Sequence, residues 1–467
     1  MVESLRHQLS QLLDHTRKLF RLGVGSRIVS GFMLVAVLTM VSKGVSFIKD
    51  ATVAHHFGTG DSLDAFLVAF GLLSFLAALA GGGLPEAFLP TYTQIAHQKG
   101  RHRALRLGVQ STGLHFISLL MLAGVCYLIA PSFINWATRG FNDEKQALAV
   151  HLMRHLLPFM VCFGMSYQLS AWLRADKHFI AASSSPMVIP FTIIGMLLIH
   201  GAEGSTVDTL VQGTVIGAIL HLSILSIVML RAMPKQTHFW QSCLRLWEPK
   251  LRHIARNTTH FLFAGGIFSS TVVVDQTMAA WLSPGSVAVL GYTEKLCGII
   301  LAVTVSPSCD VLFPYFADKV AHQDWLGLRK LLLRSAGLIL ALALPATLLL
   351  DGLAPWIVSL LFERGSFTAS DTERVAEVLR YAALQIPFFI VSSLASRVVV
   401  AMQATQFIIW ISVLGLFSNA GLNWLLMQRM GASGIALSTV LVHMISALVV
   451  CSYVLRQIRV KLKSVQA

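Results

Sequence analysis

Hydrophobic positions along this chain come in unbroken stretches rather than stripes. Apolar runs of about 20 residues recur, parted by short polar turns that mostly carry Gly or Pro. A run of that length spans the hydrocarbon core of a bilayer as an α-helix. Twelve can be marked, at roughly 28–48, 63–92, 110–131, 153–173, 179–200, 209–230, 258–282, 287–316, 333–352, 376–400, 406–427 and 432–455. Open strands cannot cross lipid with unpaired backbone groups, so the pattern predicts an all-α, polytopic membrane protein of about twelve transmembrane helices.

The chain also echoes itself. Asp50-Ala-Thr-Val-Ala returns as Asp275-Gln-Thr-Met-Ala, 225 positions on, and Ala96-His97-Gln98 returns as Ala321-His322-Gln323 at the same offset. Pro90 has a counterpart in Pro314, one position out of step. Two related halves follow. Six crossings per half is an even number, so the halves are expected to be parallel six-helix lobes related by an axis along the membrane normal. The expected order is an amphipathic N-terminal segment (1–27), a first lobe (28–230), an interfacial linker (231–257), a second lobe (258–455) and a basic tail (456–467). Residues 1–27 lack the short apolar core and small-residue cleavage site of a signal peptide, and read as a basic helix on the inner membrane surface.

Charge adds orientation. Only 12% of the residues are charged, against about 25% in soluble chains, so no large soluble domain is expected. With the N-terminus inside, inner loops and tails hold 26 of the 36 Lys and Arg, outer loops and helix ends hold eight, and Lys43 and Lys295 lie within spans. That asymmetry predicts both termini in the cytoplasm. It also accounts for the net charge of +14 without a nucleic-acid partner. The six cysteines form no C-x-x-C, so neither a disulfide framework nor a zinc site is indicated. No G-x-S-x-G, H-E-x-x-H or Walker loop is present. The chain therefore reads as a transporter without a cofactor rather than an enzyme, drawing on membrane potential or an H+, Na+ or substrate gradient.

Ionisable groups at membrane depth carry the candidate chemistry, because such groups are costly unless they face a partner, a cavity or a substrate. They are Lys43, Lys49, Asp50, Asp64 and Glu86 in the first half, and Asp275, Glu294, Lys295 and Asp310 in the second. Two readings stand side by side. Lys49 and Asp50 could be interfacial anchors, and Lys43, Glu294 and Lys295 could be an ion pair that only fixes lobe packing. Alternatively, the ammonium groups of Lys43, Lys49 and Lys295 border a cavity that suits a phosphate or diphosphate, with the neighbouring acids aiding orientation or release. Asp275 and Asp310 are candidate proton or sodium sites. Adjacent His55 and His56 point different ways on a helix and read as interfacial rather than as a metal pair. Gly81-Gly82-Gly83 before Pro85 suggests a bend in the second span.

Three separated segments carry a family resemblance. They are SKGVSFIKDATVAHHFGTGDSLDAFLVAF from Ser42, GSVAVLGYTEKL at Gly285–Leu296 and LFERGSFTASDT at Leu361–Thr372. In that order they resemble signatures of the MurJ/MviN family of lipid II flippases, within the superfamily of multidrug and oligosaccharidyl-lipid exporters. The resemblance implies a two-lobed helical transporter of the bacterial cytoplasmic (inner) membrane that moves an undecaprenyl-diphosphate-linked glycan from the inner to the outer leaflet. It places two family arginines at Lys43 and Lys49, an aspartate at Asp50, the Asp of a T-D-A-F segment at Asp64 and an Asp-Arg pair at Glu294-Lys295. Lys43, Lys49 and Lys295 thereby become the expected diphosphate ligands, and Asp50, Asp64 and Glu294 the orienting or releasing acids. Departures accompany the match. Each of these family arginines is lysine here, the paired arginines of the family's second helix fall on uncharged Leu76–Ala78, and a glutamate is replaced within Ala80-Gly81-Gly82-Gly83. The chain has twelve predicted helices where the family typically has fourteen. Expected partners are the bilayer, the lipid-linked glycan and a glycan synthase or polymerase. The alternatives are a flippase for a lipid-linked exopolysaccharide unit and, behind it, a small-molecule exporter.

Overall fold

The computed structural model describes residues 24–82, 84–176, 178–234 and 270–466. Among the described residues every regular element is helical and there is no strand. Most of the predicted N-terminal segment, most of the linker and the first part of the seventh run lie outside the described residues.

The first lobe is built from α1 (Val24–Phe57), α2 (Asp61–Gly82), α3 (Leu84–Lys99), α4 (Arg101–Ala137), α5 (Asp143–His155), α6 (Leu157–Ala175), α7 (Phe179–Ser184), α8 (Val188–Gly204) and α9 (Val207–Ala232). A short 3-10 turn, Ser185–Met187, joins α7 to α8. The second lobe contains a helix ending at residue 279, then α10 (Ser286–Ala321), α11 (Trp325–Gly352), α12 (Ala354–Phe362), α13 (Ala369–Ala383), α14 (Gln385–Ala401) and α15 (Thr405–Gln466). Among the described residues seven helical stretches are long and apolar enough to cross a bilayer, and an eighth if α5 and α6, bent by 43°, form one span.

Breaks explain how elements relate to the predicted runs. The second run corresponds to α2 and the start of α3, and Gly83 between them lies outside the described residues. The fourth is the bent pair α5–α6, polar in its first helix and apolar in its second, with Pro158 in the first turn of α6. The eleventh and twelfth runs are one element, α15, which turns back at Gly431. There φ is 57° and ψ −134°, a conformation that only glycine adopts without strain. The hairpin is closed by Ser438 Oγ donating to the Asn419 carbonyl at 3.3 Å.

Within each lobe, close helix approach replaces hydrophobic driving force, since lipid tails are as apolar as leucine. Gly213 and Gly217, four apart on α9, lie against α8. A Cβ at Gly217 would stand 2.8 Å from the Ile189 Cα. Gly108 leaves room for the Trp172 ring, which anchors a separate cluster with Phe88 and Tyr92 at one end of the first lobe. Large apolar side chains such as Leu128, Ile199 and Leu348 point outward, as a lipid-facing surface requires.

Between lobes the main helix contacts are α2 with α10 and α1 with α12. Apart from a Lys295–Asp50 ion pair, the polar ones gather at one end, hereafter the closed end. There Ser366 N donates to the His55 carbonyl at 2.8 Å, Trp281 Nε1 to the Ala137 carbonyl at 2.9 Å and Tyr292 Oη to the Gly58 carbonyl at 3.1 Å. Thr59 Oγ1 donates to Asp371. Backbones meet so closely that side chains are excluded: a Cβ at Gly140 would stand 2.7 Å from the Ala280 carbonyl oxygen across the interface.

Candidate substrate cavity between the lobes

The charge on α1 meets the charge on α10. Asp50 Oδ1 accepts from Lys49 Nζ at 2.6 Å on its own helix and from Lys295 Nζ at 2.7 Å on the other lobe. Asp50 is buried, whereas both lysines remain partly exposed. They line a cavity of about 430 Å³ between the lobes, with Gln276, Glu294 and Ser74 also on its wall. Lys295 stands 5.5 Å from the centre of the Tyr292 ring. The carboxylate thus holds two ammonium groups from different lobes at one point. Any anion that entered would compete with Asp50 for both.

Lys43 is not brought into this contact. It lies seven residues before Asp50, two turns or about 10 Å along α1 and on the same face. It is exposed and makes no ion pair with a described residue. The half of α1 around it, including Met40 and Val41, is exposed as well.

Asp64 is placed elsewhere, at the closed end. It accepts from the backbone N–H of Gly285 at 2.7 Å and of Ala288 at 2.8 Å, and pairs with Lys145 Nζ at 2.9 Å. Gly285 is the N-cap position of α10 and takes φ 83°. The first N–H groups of a helix have no partner of their own and carry partial positive charge, so a carboxylate there is favoured. Asp64 therefore caps a helix of the opposite lobe. Lys145 bridges it to Asp61 at 2.5 Å.

Asp275 faces a second cavity, inside the second lobe. Its Oδ1 accepts from Asn423 Nδ2 at 2.6 Å and Asn419 Nδ2 at 3.0 Å. All three side chains are buried, and Asn423 Oδ1 has no hydrogen-bond partner. The cavity is about 790 Å³ and is also lined by Thr439, His443, Arg397 and Glu294. Glu294 thus borders both cavities and makes no hydrogen bond to a described residue. Asp310 lies on α10, but its side chain, like that of Glu86 on α3, is outside the described residues.

Sequence reasoning missed Lys145, Asn419 and Asn423. Lys145 sits in what reads as an ordinary outer loop. The asparagines had a usable signal: two carboxamides four apart in an apolar run share one helix face.

Two helical lobes, sealed at one end and enclosing a charged cavity at their interface, define an alternating-access membrane transporter rather than an enzyme. The chain matches the family model "MurJ: Lipid II flippase MurJ" over residues 53–466, and it belongs to that family. "Probable lipid II flippase MurJ" of Rickettsia prowazekii (strain Madrid E) is 23% identical over 410 residues, covering 87% of this chain and 80% of that protein. The protein of the same description from Vibrio cholerae serotype O1 is 25% identical over 442 residues, covering 90% and 82%. Among solved structures, "Lipid II flippase MurJ, inward closed conformation" superposes with TM-score 0.77 at 21% identity, covering 91% of this chain and 87% of that one. An inward-facing multidrug MATE transporter of the MOP superfamily gives TM-score 0.77 at 14% identity, covering 93% of this chain and 99% of that one. An outward-facing one gives 0.62, also at 14% identity, covering 93% and 96%. The family and the apolar helices make this a multi-pass protein of the bacterial inner membrane.

Proposed function

We propose that the protein flips a lipid II-type, undecaprenyl-diphosphate-linked peptidoglycan precursor from the inner to the outer leaflet by alternating access. Both termini are cytoplasmic in this reading, and the closed end faces outward. The observation that carries it is the Lys49–Asp50–Lys295 bridge across the inter-lobe cavity. A diphosphate replaces the Asp50 carboxylate as the shared acceptor of both ammonium groups. Lys43, two turns toward the inner end on the same face, meets the phosphates on their way in. When the lobes rock, Lys49 and Lys295 part, Asp50 recaptures its own lysine, and the anion is released. Opening the outer end requires Asp64 to leave the N-terminus of α10, so this acid belongs to the seal in the present state.

Coupling is assigned to the second lobe. Asp275, with the unpartnered Asn423 Oδ1 beside it, offers the oxygen donors that a sodium ion or proton takes. Glu294 borders that cavity and the substrate cavity alike, and is placed to link them. Asp310 remains a second candidate, and membrane potential an alternative drive. A glycan synthase or polymerase is the partner class that would use the delivered substrate.

The test is depletion of the protein in its own cell, followed by extraction of lipid-linked sugars. Accumulated lipid-linked muropeptide with swelling and lysis is the expected result. Normal growth with accumulation of a lipid-linked polysaccharide unit would shift the substrate to the exopolysaccharide alternative. No change in either pool would overturn the lipid-linked glycan reading.

A further inference from the structure

The outer flank of the first lobe carries a basic cluster that the transport cycle described above does not use. At the bend between α5 and α6 the sequence switches from polar (Asp143–His155) to apolar (Leu157 onward), so His155 marks a polar–apolar boundary on this helix pair. His151 Nε2 lies 3.3 Å from Asp208 Oδ1 in the first turn of α9. Here Arg154 lays its guanidinium over the Tyr127 ring of α4, 4.6 Å from the ring centre. Its Nε is buried without a hydrogen-bond partner, and the side chain makes no ion pair with a described residue. His151 and His155 flank it with ring centres 4.1 Å apart, and His155 Nδ1 is engaged with the His151 carbonyl at 2.8 Å. These side chains line a recess of about 460 Å³ whose remaining wall, Ala147 and Val150, is apolar. Next to Tyr127 on α4, Leu128 is 76% exposed and available to acyl chains.

The geometry points to a binding site for a lipid-borne phosphate at this recess, separate from the inter-lobe cavity. Arginine presents a rigid fork of donors matched to phosphate oxygens, and stacking on an aromatic face fixes that fork in advance. Arg154 as a whole is half-exposed and lines the recess, so its fork is open to a ligand there while Nε stays buried. Each imidazole spends a ring N–H on a protein acceptor, His155 on the His151 carbonyl and His151 on Asp208, so Arg154 is the donor this recess offers; among the described residues Asp208 is the one carboxylate paired with the cluster. The ligand is an anionic phospholipid of the leaflet or the phosphate of a polyprenyl carrier resting in that leaflet. Both present the same oxygens, and an apolar chain could lie along α4. The inference is independent of which glycan the protein moves.

The experiment uses the full-length purified protein, delipidated in detergent and titrated with phosphatidylglycerol, diacylglycerol or undecaprenyl phosphate under native mass spectrometry. Wild-type protein should retain phosphatidylglycerol and release diacylglycerol. Arg154→Gln should weaken retention about tenfold, the loss of one charge-assisted contact. Asp208→Asn, which removes the repelling carboxylate without touching Arg154, should strengthen it. Displacement of phosphatidylglycerol by undecaprenyl phosphate, lost in Arg154→Gln, assigns the site to the carrier. Failure to displace assigns it to the phospholipid. Equal retention by wild type and both variants, or diacylglycerol binding as well as phosphatidylglycerol, overturns the proposal. Unchanged elution and melting of the variants separates loss of the site from loss of the fold.

Discussion

Asp50 and Asp275 stand 225 positions apart in the two halves, each near the end of its lobe's first helix, and the protein surrounds them differently. Asp50 holds two ammonium groups, one from each lobe. Asp275 holds two carboxamides, both from α15 of its own lobe. The acid keeps its depth in both halves, but its partners decide what it can exchange. Around Asp50 the mobile quantity is an anion, because two cations can accept a new counter-charge. Around Asp275 no described cation is bonded to the carboxylate, so the charge it lacks is positive. The same position of the internal echo thus carries, in the proposed function, the substrate switch in one lobe and the ion site in the other. The asymmetry also fits a rocking cycle. Asp50 bridges the lobes and must be remade in every turn, whereas Asp275 can stay intact while the lobes move.

Replacing each acid separates the two roles, and this is the largest expected effect. Asp50→Ala leaves Lys49 and Lys295 facing each other without a counter-ion. Breaking a buried pair by removing one partner costs about 3–5 kcal/mol, and the partial exposure of both lysines places this case toward the lower end. Flipping of a labelled lipid-linked glycan in proteoliposomes should fall at least ~100-fold, whatever gradient is imposed. Asp275→Ala should leave substrate binding intact and abolish the response to an imposed sodium or proton gradient. If both variants lose the same dependence, the two acids act as one site and the contrast fails. Lys295→Ala should resemble Asp50→Ala, whereas Lys295→Arg keeps the charge and restores the fork, and should stay within about threefold of wild type.

A smaller effect tests the seal. Gly140 has no room for a methyl group against the Ala280–Trp281 backbone of the other lobe. Overpacking of this kind costs about 1–3 kcal/mol, enough to shift a two-state equilibrium by about 5- to 150-fold. Gly140→Ala should therefore populate the form open at that end. Spin labels on the α4–α5 loop and the residue 280–285 loop should report a longer distance. An unchanged distance would show that the backbone contact does not hold the lobes. Gly113, whose added Cβ would meet nothing within 4 Å, is the matched control.

Much of this arrangement is legible before any coordinates. The all-α membrane class follows from apolar run length, and the cost of burying charge marks Lys49, Asp50 and Lys295 as candidates, but sequence pairs Lys295 with its neighbour Glu294 and not with Asp50 across the lobes. The sequence also placed Asp64 and Glu294 at membrane depth, but depth does not say what a side chain faces. Asp64 opens α2 at the closed end and turns toward the start of α10. Glu294 precedes Lys295 by one residue, so on a helix the two point about 100° apart and Glu294 also reaches the second cavity. Lys43 illustrates the converse. Its six-residue spacing from Lys49 suggests separation, but its seven-residue spacing from Asp50 puts it on the acid's own face. Partners supplied by other helices, such as Lys145, leave no trace in local pattern, because their contact is made only when helices pack.

The smallest effect concerns how the two halves end the echoed segment. After Ala96-His97-Gln98 the chain turns at Gly100, with φ 86°, and α4 begins without a side-chain cap. After Ala321-His322-Gln323 it turns at Gln323, with φ 56°, and Asp324 caps α11 by accepting from Gly327 N at 2.8 Å while pairing with Lys319 at 2.6 Å. The hydrogen bond from Lys319 and the one from the Gly327 N–H hold the Asp324 carboxyl below the usual aspartate range. A folded-state pKa below the unfolded one means stability that is present above the unfolded value, near 3.9, and lost as pH falls through the folded one. Amide exchange in the first turn of α11 should therefore accelerate as pH drops below about 4, after correction for the intrinsic rate, and Asp324→Ala should reproduce that loss at neutral pH. The first turn of α4, with no carboxylate cap to protonate, should show neither response. Equal acid sensitivity at both helix starts would mean that the cap in the second half is ornamental, and that the glycine turn of the first half does the same work without it.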